Sequence, residues 1–193
     1  LGDIQRPFTA IIGGSKVSTK INIITNLLPK VDNLIVGGGL SYTFLAAMGY
    51  TIGNSLFEPD MLPVAKDILK QVEASGKKFY CRLDTICGDK FGDDANVLVT
   101  EDNNIPDNWE GLDIGPKTQH SFAQVLKESN TILWNGPVGV FELEKFSKGT
   151  KAVAISVAAS TLAGAYSVIG GGDSIAAINK YDLADYVSYI STG

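Results

Sequence analysis

Residues 8–20 read Phe8-Thr9-Ala10-Ile11-Ile12-Gly13-Gly14-Ser15-Lys16-Val17-Ser18-Thr19-Lys20, and this stretch decides the fold of the 193-residue chain. Its apolar run stops at two glycines, and beyond Val17 apolar residues recur at spacings of three and four. This pattern predicts a strand, a tight turn and a helix. Such a turn can bind an anion, because glycine lets the backbone approach a ligand and a helix start offers free N–H groups. An ordinary turn with two solvated lysines explains this segment alone equally well.

The same pattern, an apolar run that ends in glycine, occurs three more times. The runs and their turns are 34–36 with 37–39, 131–134 with 135–139, and 166–169 with 170–173. The runs alternate little between apolar and polar residues, as is typical of parallel strands buried on both faces. Because helical segments separate them, right-handed crossovers bring all four turns to the carboxyl edge of one sheet, where α/β domains bind ligands. The sequence therefore predicts an α/β domain with a mainly parallel sheet.

The rest of the chain predicts further helices and strands between these turns. Apolar stripes and turn residues predict helices over 40–48, 59–75, 118–129, 146–162 and 174–180, and strands over 79–83 and 186–190. A short strand over 95–100 is expected outside the main sheet, and 101–115 is expected to be a polar loop. No linker or repeat interrupts the pattern, so residues 1–193 are predicted to form one domain.

The composition excludes several classes of protein. The chain is 45% hydrophobic and 19% charged with a net charge of −5, which argues against a nucleic-acid surface. No apolar stretch is long enough to span a bilayer. Cys81 and Cys87 are too few for a disulfide framework or a zinc site, so a reduced, cytoplasmic setting is expected. His120 is the only histidine, which argues against a Ser–His catalytic pair.

The charged residues near the glycine turns suit a nucleotide. Lys16 and Lys20 follow the first turn, and two cations beside a helix start suit phosphate oxygens. Glu142 follows the third turn and Asp173 ends the fourth; one carboxylate suits Mg²⁺, and a second can accept hydrogen bonds from ribose hydroxyls. A solvated Glu142 and an Asp173 that caps the helix at Ser174 are the alternatives. Neither the usual phosphate loop G-x-x-x-x-G-K-[ST] nor the dinucleotide fingerprint G-x-G-x-x-G is present at the first strand.

Six segments together resemble the C-terminal, nucleotide-binding domain of the phosphoglycerate kinases. They are Arg6-Pro7-Phe8, residues 13–21, Gly37-Gly38-Gly39 with Phe44-Leu45, Gly111-Leu112-Asp113-Ile114-Gly115-Pro116, residues 134–142, and residues 170–174. The resemblance covers essentially the whole chain in the right order. It implies a three-layer α/β/α, Rossmann-like domain that binds MgATP or MgADP. In this family the whole enzyme reversibly transfers a phosphoryl group between 1,3-bisphosphoglycerate and ADP, giving 3-phosphoglycerate and ATP in glycolysis.

The resemblance also implies a role for individual residues. Lys16 would be catalytic and contact the transferring phosphoryl group, and Asp173 would face Mg²⁺. The glycines at 37–39 would form a wall for adenine, and Glu142 would hold the ribose. The nucleotide-binding set implied in this way is Gly14, Ser15, Lys16, Lys20, Gly37, Gly38, Gly39, Gly111, Leu112, Asn135, Gly136, Val138, Phe141, Glu142, Gly171, Gly172, Asp173 and Ser174.

Departures from the family pattern occur at a few positions. Ser15, Thr19 and Ser174 stand where most members have Ala, Asp and Thr, and Arg82-Leu83-Asp84 departs from the usual Leu-Pro-Val-Asp. The resemblance further implies that the phosphoglycerate-binding N-terminal domain and the extreme C-terminus are missing. Because phosphoryl transfer depends on positioning by both halves, we expect this chain, as a monomer, to bind MgADP or MgATP weakly without turnover.

Two rival functions are compatible with the same architecture. A dehydrogenase-type dinucleotide domain predicts binding of NADH and a single fingerprint turn in place of four glycine turns. A non-catalytic nucleotide-sensing module predicts nucleotide binding that does not depend on Lys16. A comparison of the affinities for MgADP and NADH separates the dehydrogenase rival from the kinase. The effect of Lys16→Ala on nucleotide affinity separates the sensing module from the kinase.

Overall fold

The computed structural model describes residues 3–192, so the outermost three residues of the predicted domain lie outside the described part. The strands are β1 (Phe8–Ile12), β2 (Asn33–Val36), β3 (Lys78–Tyr80), β4 (Thr85–Gly88), β5 (Val97–Val99), β6 (Glu110–Ile114), β7 (Thr131–Asn135), β8 (Tyr166–Gly170) and β9 (Tyr189–Ser191). The helices are α1 (Val17–Leu27), α2 (Leu40–Ala47), α3 (Leu62–Ser75), α4 (Pro116–Glu128), α5 (Lys148–Leu162) and α6 (Gly172–Lys180).

The main sheet contains six strands in the order β3-β2-β1-β7-β8-β9, and every neighbouring pair is parallel. All five residues of the central strand β1 are buried. Its side chains point alternately to the two faces, as the period of a strand requires: Ala10 and Ile12 belong to one core cluster and Ile11 to the other. Helices α1, α2 and α3 cover the first face, and α4, α5 and α6 cover the second. The predicted three-layer α/β/α architecture is confirmed.

The register brings the four glycine turns together. Ile12 at the end of β1 pairs with Val36 on one side and Asn135 on the other, and Asn135 pairs with Gly170. Strands β2, β1, β7 and β8 are therefore adjacent and end at the same level. The predicted common carboxyl edge is confirmed, and it is the edge where ligands bind in open α/β sheets.

A second, three-stranded antiparallel sheet in the order β5-β4-β6 lies outside the main sheet. The expected separate strand over 95–100 is confirmed as β5. The prediction of a loop over 101–115 is wrong in part, because Glu110–Ile114 form β6. Strand β4 was not predicted from the sequence. Both strands are short and pair with residues distant in sequence, so their stability comes from cross-strand contacts that local patterns do not encode.

Several predicted elements have shifted bounds. The strand predicted over 79–83 is β3, which ends at Tyr80, and the last strand begins at Tyr189 because a short 3₁₀ turn occupies Ala184–Tyr186. The helix predicted over 59–75 begins with a 3₁₀ turn at Pro59–Met61. None of the helices within residues 3–192 has the length and apolar character needed to cross a membrane.

Candidate functional site

Backbone hydrogen bonds hold the glycine turns against one another. The Gly13 amide donates to the Asn135 carbonyl at 2.8 Å, and the Gly14 amide donates to the Pro137 carbonyl at 3.1 Å. A Cβ on Gly13 would lie 2.7 Å from the carbonyl carbon of Gly136, whose own φ is 102°. Only glycine fits this approach, since a side chain would separate the turns after β1 and β7.

The first cavity of the site lies between these turns and the small sheet, with a volume of about 230 Å³. Its lining residues are Gly14, Ser15, Gly38, Gly39, Tyr42, Leu56, Phe91, Gly111, Leu112, Pro137, Gly139, Val140, Glu142 and Asp173. The Tyr42 ring packs directly on the backbone of Gly111, where any Cβ would overlap it. Apolar side chains and flat glycine backbone form a surface that suits a planar ring, with carboxylates at its border.

The second cavity adjoins the first and is lined mainly by polar groups, with a volume of about 190 Å³. Its lining residues are Gly14, Ser15, Thr19, Lys20, Gly136, Pro137, Gly171, Gly172, Asp173 and Ser174. It shares Gly14, Ser15, Pro137 and Asp173 with the first cavity, so a single elongated ligand could occupy both. The start of α6 lies here, and its free N–H groups favour an anion.

Lys20 supplies the cation of the second cavity. Its Nζ donates a hydrogen bond to Asn135 Oδ1. Burial lowers the pKa of Lys20, and the nearby carboxylate of Asp173 opposes this shift. The buried Ser174 hydroxyl accepts a hydrogen bond from the Gly136 amide and thereby joins α6 to the turn after β7. A half-buried ammonium group held in this way is oriented to pair with an anion in the cavity.

Asp173 lies in the first turn of α6, where a carboxylate is favoured by the helix dipole. Gly171 is the capping residue of this helix, and no side chain of the described part caps it. The alternative of Asp173 as the helix cap is therefore wrong. Its exposed carboxylate lines both cavities instead.

A buried carboxylate, Asp113 on β6, supports the wall of the first cavity. Its Oδ2 accepts a hydrogen bond from the Gly149 amide at the start of α5 (2.8 Å), and its Oδ1 accepts one from the Ile114 amide (2.9 Å). Burial raises the pKa of Asp113 to about 7, against these hydrogen bonds and the nearby Arg82 guanidinium. A Cβ on Gly139, which lines the cavity, would overlap the Asp113 carboxylate.

Substitution of Asp113 is expected to change how stability depends on pH. The folded protein binds the Asp113 proton more tightly than the unfolded chain, whose carboxyl titrates near 3.8, so this group makes folding less favourable as pH rises from about 4 to 7. Asp113→Asn lacks this titration. Between pH 5 and pH 8, the free energy of unfolding of the parent should therefore fall relative to that of the variant. The expected fall is at least about 1.4 kcal/mol, which corresponds to one pKa unit. Urea unfolding of both proteins measures this gap, and a constant gap would contradict the prediction.

The comparisons with known proteins identify the family. The family model described as phosphoglycerate kinase matches residues 1–193. The chain belongs to the phosphoglycerate kinase family. It is 54% identical over 193 residues to the phosphoglycerate kinase of Porphyromonas gingivalis, covering 100% of this chain and 46% of that protein.

Solved phosphoglycerate kinase structures have the same fold. The Coxiella burnetii phosphoglycerate kinase matches with a TM-score of 0.95 at 45% identity, covering 100% of this chain and 49% of the other. The enzyme from Pyrococcus horikoshii OT3 matches with a TM-score of 0.80 at 27% identity, covering 98% and 47%. The chain therefore spans about half the length of the relatives it matches.

Most residues implied by the phosphoglycerate kinase resemblance line the two cavities, and five do not. Lys16 is exposed at the start of α1, outside both cavities. Gly37 and Val138 pack on one another, since a Cβ on Gly37 would lie 2.6 Å from Val138 Cγ1. Phe141 is buried with the Lys180 ammonium 5.7 Å from its ring centroid. Asn135 contributes indirectly, because its Oδ1 accepts a hydrogen bond from Lys20 Nζ and thereby orients the ammonium group.

Sequence reasoning missed several lining residues. These are Thr19 in the second cavity, Pro137 in both, and Tyr42, Leu56, Phe91, Gly139 and Val140 in the first. Tyr42 follows the 37–39 turn by one helical turn, and this spacing could have revealed it. Leu56 and Phe91, which are 55% and 64% exposed, come from separate loops and carry no local signal.

Proposed function

We propose that this chain is the C-terminal, nucleotide-binding domain of a phosphoglycerate kinase and forms a single domain that binds MgADP and MgATP. One observation carries the proposal: an apolar cavity and a polar cavity adjoin at the carboxyl edge of the sheet and share four lining residues. A nucleotide likewise has an apolar base joined to a polar polyphosphate, so its two ends match the two cavities. The family membership supports the same ligand.

The nucleotide would lie along the two cavities. Adenine would pack between the 38–39 glycine backbone and Leu112, beside Tyr42, and the ribose hydroxyls would donate to Glu142. The phosphates would extend into the second cavity, toward the Lys20 ammonium and the start of α6. Each chemical group of the ligand then meets a wall of matching polarity.

The donor set near Asp173 is compatible with Mg²⁺ carried by the nucleotide. Within residues 3–192, no three His, Cys, Asp or Glu side chains are grouped closely enough to hold a metal ion by themselves. Magnesium in kinases is held by one or two carboxylates together with substrate phosphates, and Asp173 lines both cavities. Bound in this way, Mg²⁺ would neutralise negative charge on the phosphates.

Lys16 would act on the transferring phosphoryl group. It is exposed, directly precedes α1 and accepts a hydrogen bond on its carbonyl from the hydroxyl of Thr19, which lines the second cavity, so its ammonium could reach a group that protrudes from the cleft. The full-length protein would transfer that group reversibly between 1,3-bisphosphoglycerate and ADP. As the family resemblance implies, it would act in glycolysis, in the cytoplasm and as a monomer, with the phosphoglycerate bound by the other domain.

Calorimetric titration of the chain with MgADP and with NADH tests the proposed ligand. We expect weak binding of MgADP, no comparable binding of NADH, and no activity of the chain alone in a coupled phosphoglycerate kinase assay, because half of the positioning machinery is absent. Preferential binding of NADH would favour the dinucleotide rival. Robust turnover by the chain alone would contradict the expected inactivity.

Lys16→Ala in the full-length protein tests the catalytic role separately. We expect phosphoryl transfer to be lost. The affinity for MgADP should change by a smaller factor than the turnover does, because Lys16 lies outside both cavities. Unchanged activity together with unchanged affinity for MgADP and MgATP would mean that the catalytic role assigned to Lys16 is wrong.

A further inference from the structure

The lining of the first cavity comes from two separate sheets. Gly38 and Gly39 follow β2 of the main sheet, whereas Gly111 and Leu112 belong to β6 of the small sheet. A base that packs against both parts needs them at a fixed separation, because a gap of about 1 Å forfeits up to about half of each dispersion contact. Whatever holds the two parts in place therefore affects how well the cavity binds a planar ring.

Arg82, which lies between β3 and β4, connects these two parts of the fold. Its Nη2 donates a hydrogen bond to Ser41 Oγ at 2.7 Å, and its Nη1 donates to the Tyr42 hydroxyl at 3.2 Å. Both acceptors belong to α2, which begins directly after the 37–39 turn. Nη1 also donates to the carbonyl of Asp113 on β6 at 3.3 Å. One side chain thus joins the glycine turn after β2 to the small sheet.

The contacts of Arg82 continue to residues that line the first cavity. Ser41 Oγ, which accepts from Arg82, donates to the Gly38 carbonyl at 2.5 Å, so these three residues form one chain of hydrogen bonds. Tyr42 lines the cavity itself, and its ring centroid lies 4.5 Å from the guanidinium carbon of Arg82. A Cβ on Gly111 would overlap the Tyr42 hydroxyl group, so the position of Tyr42 is coupled to that of β6.

Arg82 can act on the site only through these neighbours. The residue is 4% exposed and lines neither cavity of the nucleotide site, so a bound nucleotide would not touch it. Its guanidinium is planar and presents its donors in a fixed fork, whereas a lysine ammonium is a point charge on a flexible stem. A lysine at this position would therefore not hold α2 and β6 in the same way.

We propose that Arg82 is a positioning residue for the base end of the nucleotide site. It holds the 37–39 turn and Tyr42 at the separation from β6 at which a planar base contacts both parts. This role rests on the proposed function, in which the first cavity takes the base. The phosphate end does not depend on Arg82, since none of the acceptors of its side chain within residues 3–192 lines the second cavity.

Arg82→Lys tests this role through calorimetric titrations with adenosine and with MgADP. We expect adenosine to bind at least about fivefold more weakly, which is the usual size of the effect of one lost hydrogen bond. MgADP should lose affinity by the same factor, because only the base end of the site changes. Unchanged affinity for adenosine would overturn the proposal. A larger loss for MgADP than for adenosine would mean that the whole cleft is distorted, which would overturn it as well.

Arg6→Lys is the matched control, because it makes the same replacement at an exposed arginine. Arg6 lines neither cavity of the nucleotide site, so the affinities of this variant for adenosine and MgADP should equal those of the parent. Equal losses in Arg6→Lys and Arg82→Lys would mean that the effect does not come from the contacts of Arg82, and the proposal would be wrong.

Ser41→Ala isolates the link to the glycine turn and keeps the proposal testable if Arg82→Lys does not fold. Ser41 lines neither cavity, and alanine is the most favourable residue in a helix, so the variant removes only the hydroxyl between Arg82 and the Gly38 carbonyl. We expect adenosine to bind at least about twofold more weakly. In the double variant, the loss should be smaller than the product of the two single losses, since both changes act on one chain of hydrogen bonds. Unchanged affinity in Ser41→Ala, or two independent losses, would overturn the proposal.

Failure of this proposal and failure of the proposed function give different results. If the parent protein binds neither adenosine nor MgADP, the proposed function is wrong and the role of Arg82 is overturned with it. If the parent binds both ligands and Arg82→Lys binds them equally well, only the role of Arg82 is wrong.

Discussion

Lys20→Met is expected to weaken the binding of MgADP about 10- to 100-fold, because one hydrogen bond to a charged group contributes about 1.5–3 kcal/mol. Lys20 is the lysine that lines the second cavity, and Asn135 Oδ1 holds its ammonium group. Methionine keeps the apolar length of the side chain and removes only the charge and its donors. Calorimetric titration of parent and variant at matched ionic strength measures the ratio of the dissociation constants.

The ligand series makes this prediction specific. Adenosine carries the base and ribose without phosphates, so the parent and Lys20→Met should bind it equally. Lys30→Met, at an exposed lysine outside both cavities, should leave the affinity for MgADP unchanged. Equal loss of adenosine and MgADP binding would mean that the substitution has distorted the cleft, and the assignment of Lys20 to the phosphates would be wrong.

The main sheet and its glycine turns were predictable because their signals are local. Each turn is a run of residues in which a buried strand stops at glycine, and the parallel order follows from the helices between the runs. Lys20 and Asp173, which line the second cavity, could be found in the same way since they directly follow such turns. Local sequence could not reveal β4 and β6, because cross-strand contacts define them.

The apolar end of the site was less predictable. Leu56 and Phe91 reach the first cavity from loops with no periodic pattern. Lys16 could be placed beside the turn, but its position outside both cavities depends on the extended backbone with which it precedes α1. The resemblance marked Arg82 only as a departure. Arginine is normally exposed, so no rule of composition or spacing predicts that Arg82 is buried, with only 4% of the residue exposed.

Arg82→Met is expected to lower the free energy of unfolding by about 3 kcal/mol or more, since several buried acceptors lose their donor at once. Arg82 donates to side chains of α2 and to the carbonyls of Gly38 and Asp113. It therefore connects the 37–39 turn with the small sheet. Arg82→Lys keeps the charge without the planar fork, and its loss should be intermediate. Urea unfolding of the three proteins measures the differences.

Arg6→Met is the matched control, because the same substitution there removes an exposed arginine. Arg6 pairs with Asp32 at 2.9 Å, and the two side chains are 51% and 40% exposed. Such a surface pair contributes about 0–1 kcal/mol, so the two arginines should differ by about 2 kcal/mol or more. Equal losses would mean that the acceptors around Arg82 find other donors when it is removed. The guanidinium would then not be what holds the 37–39 turn against the small sheet.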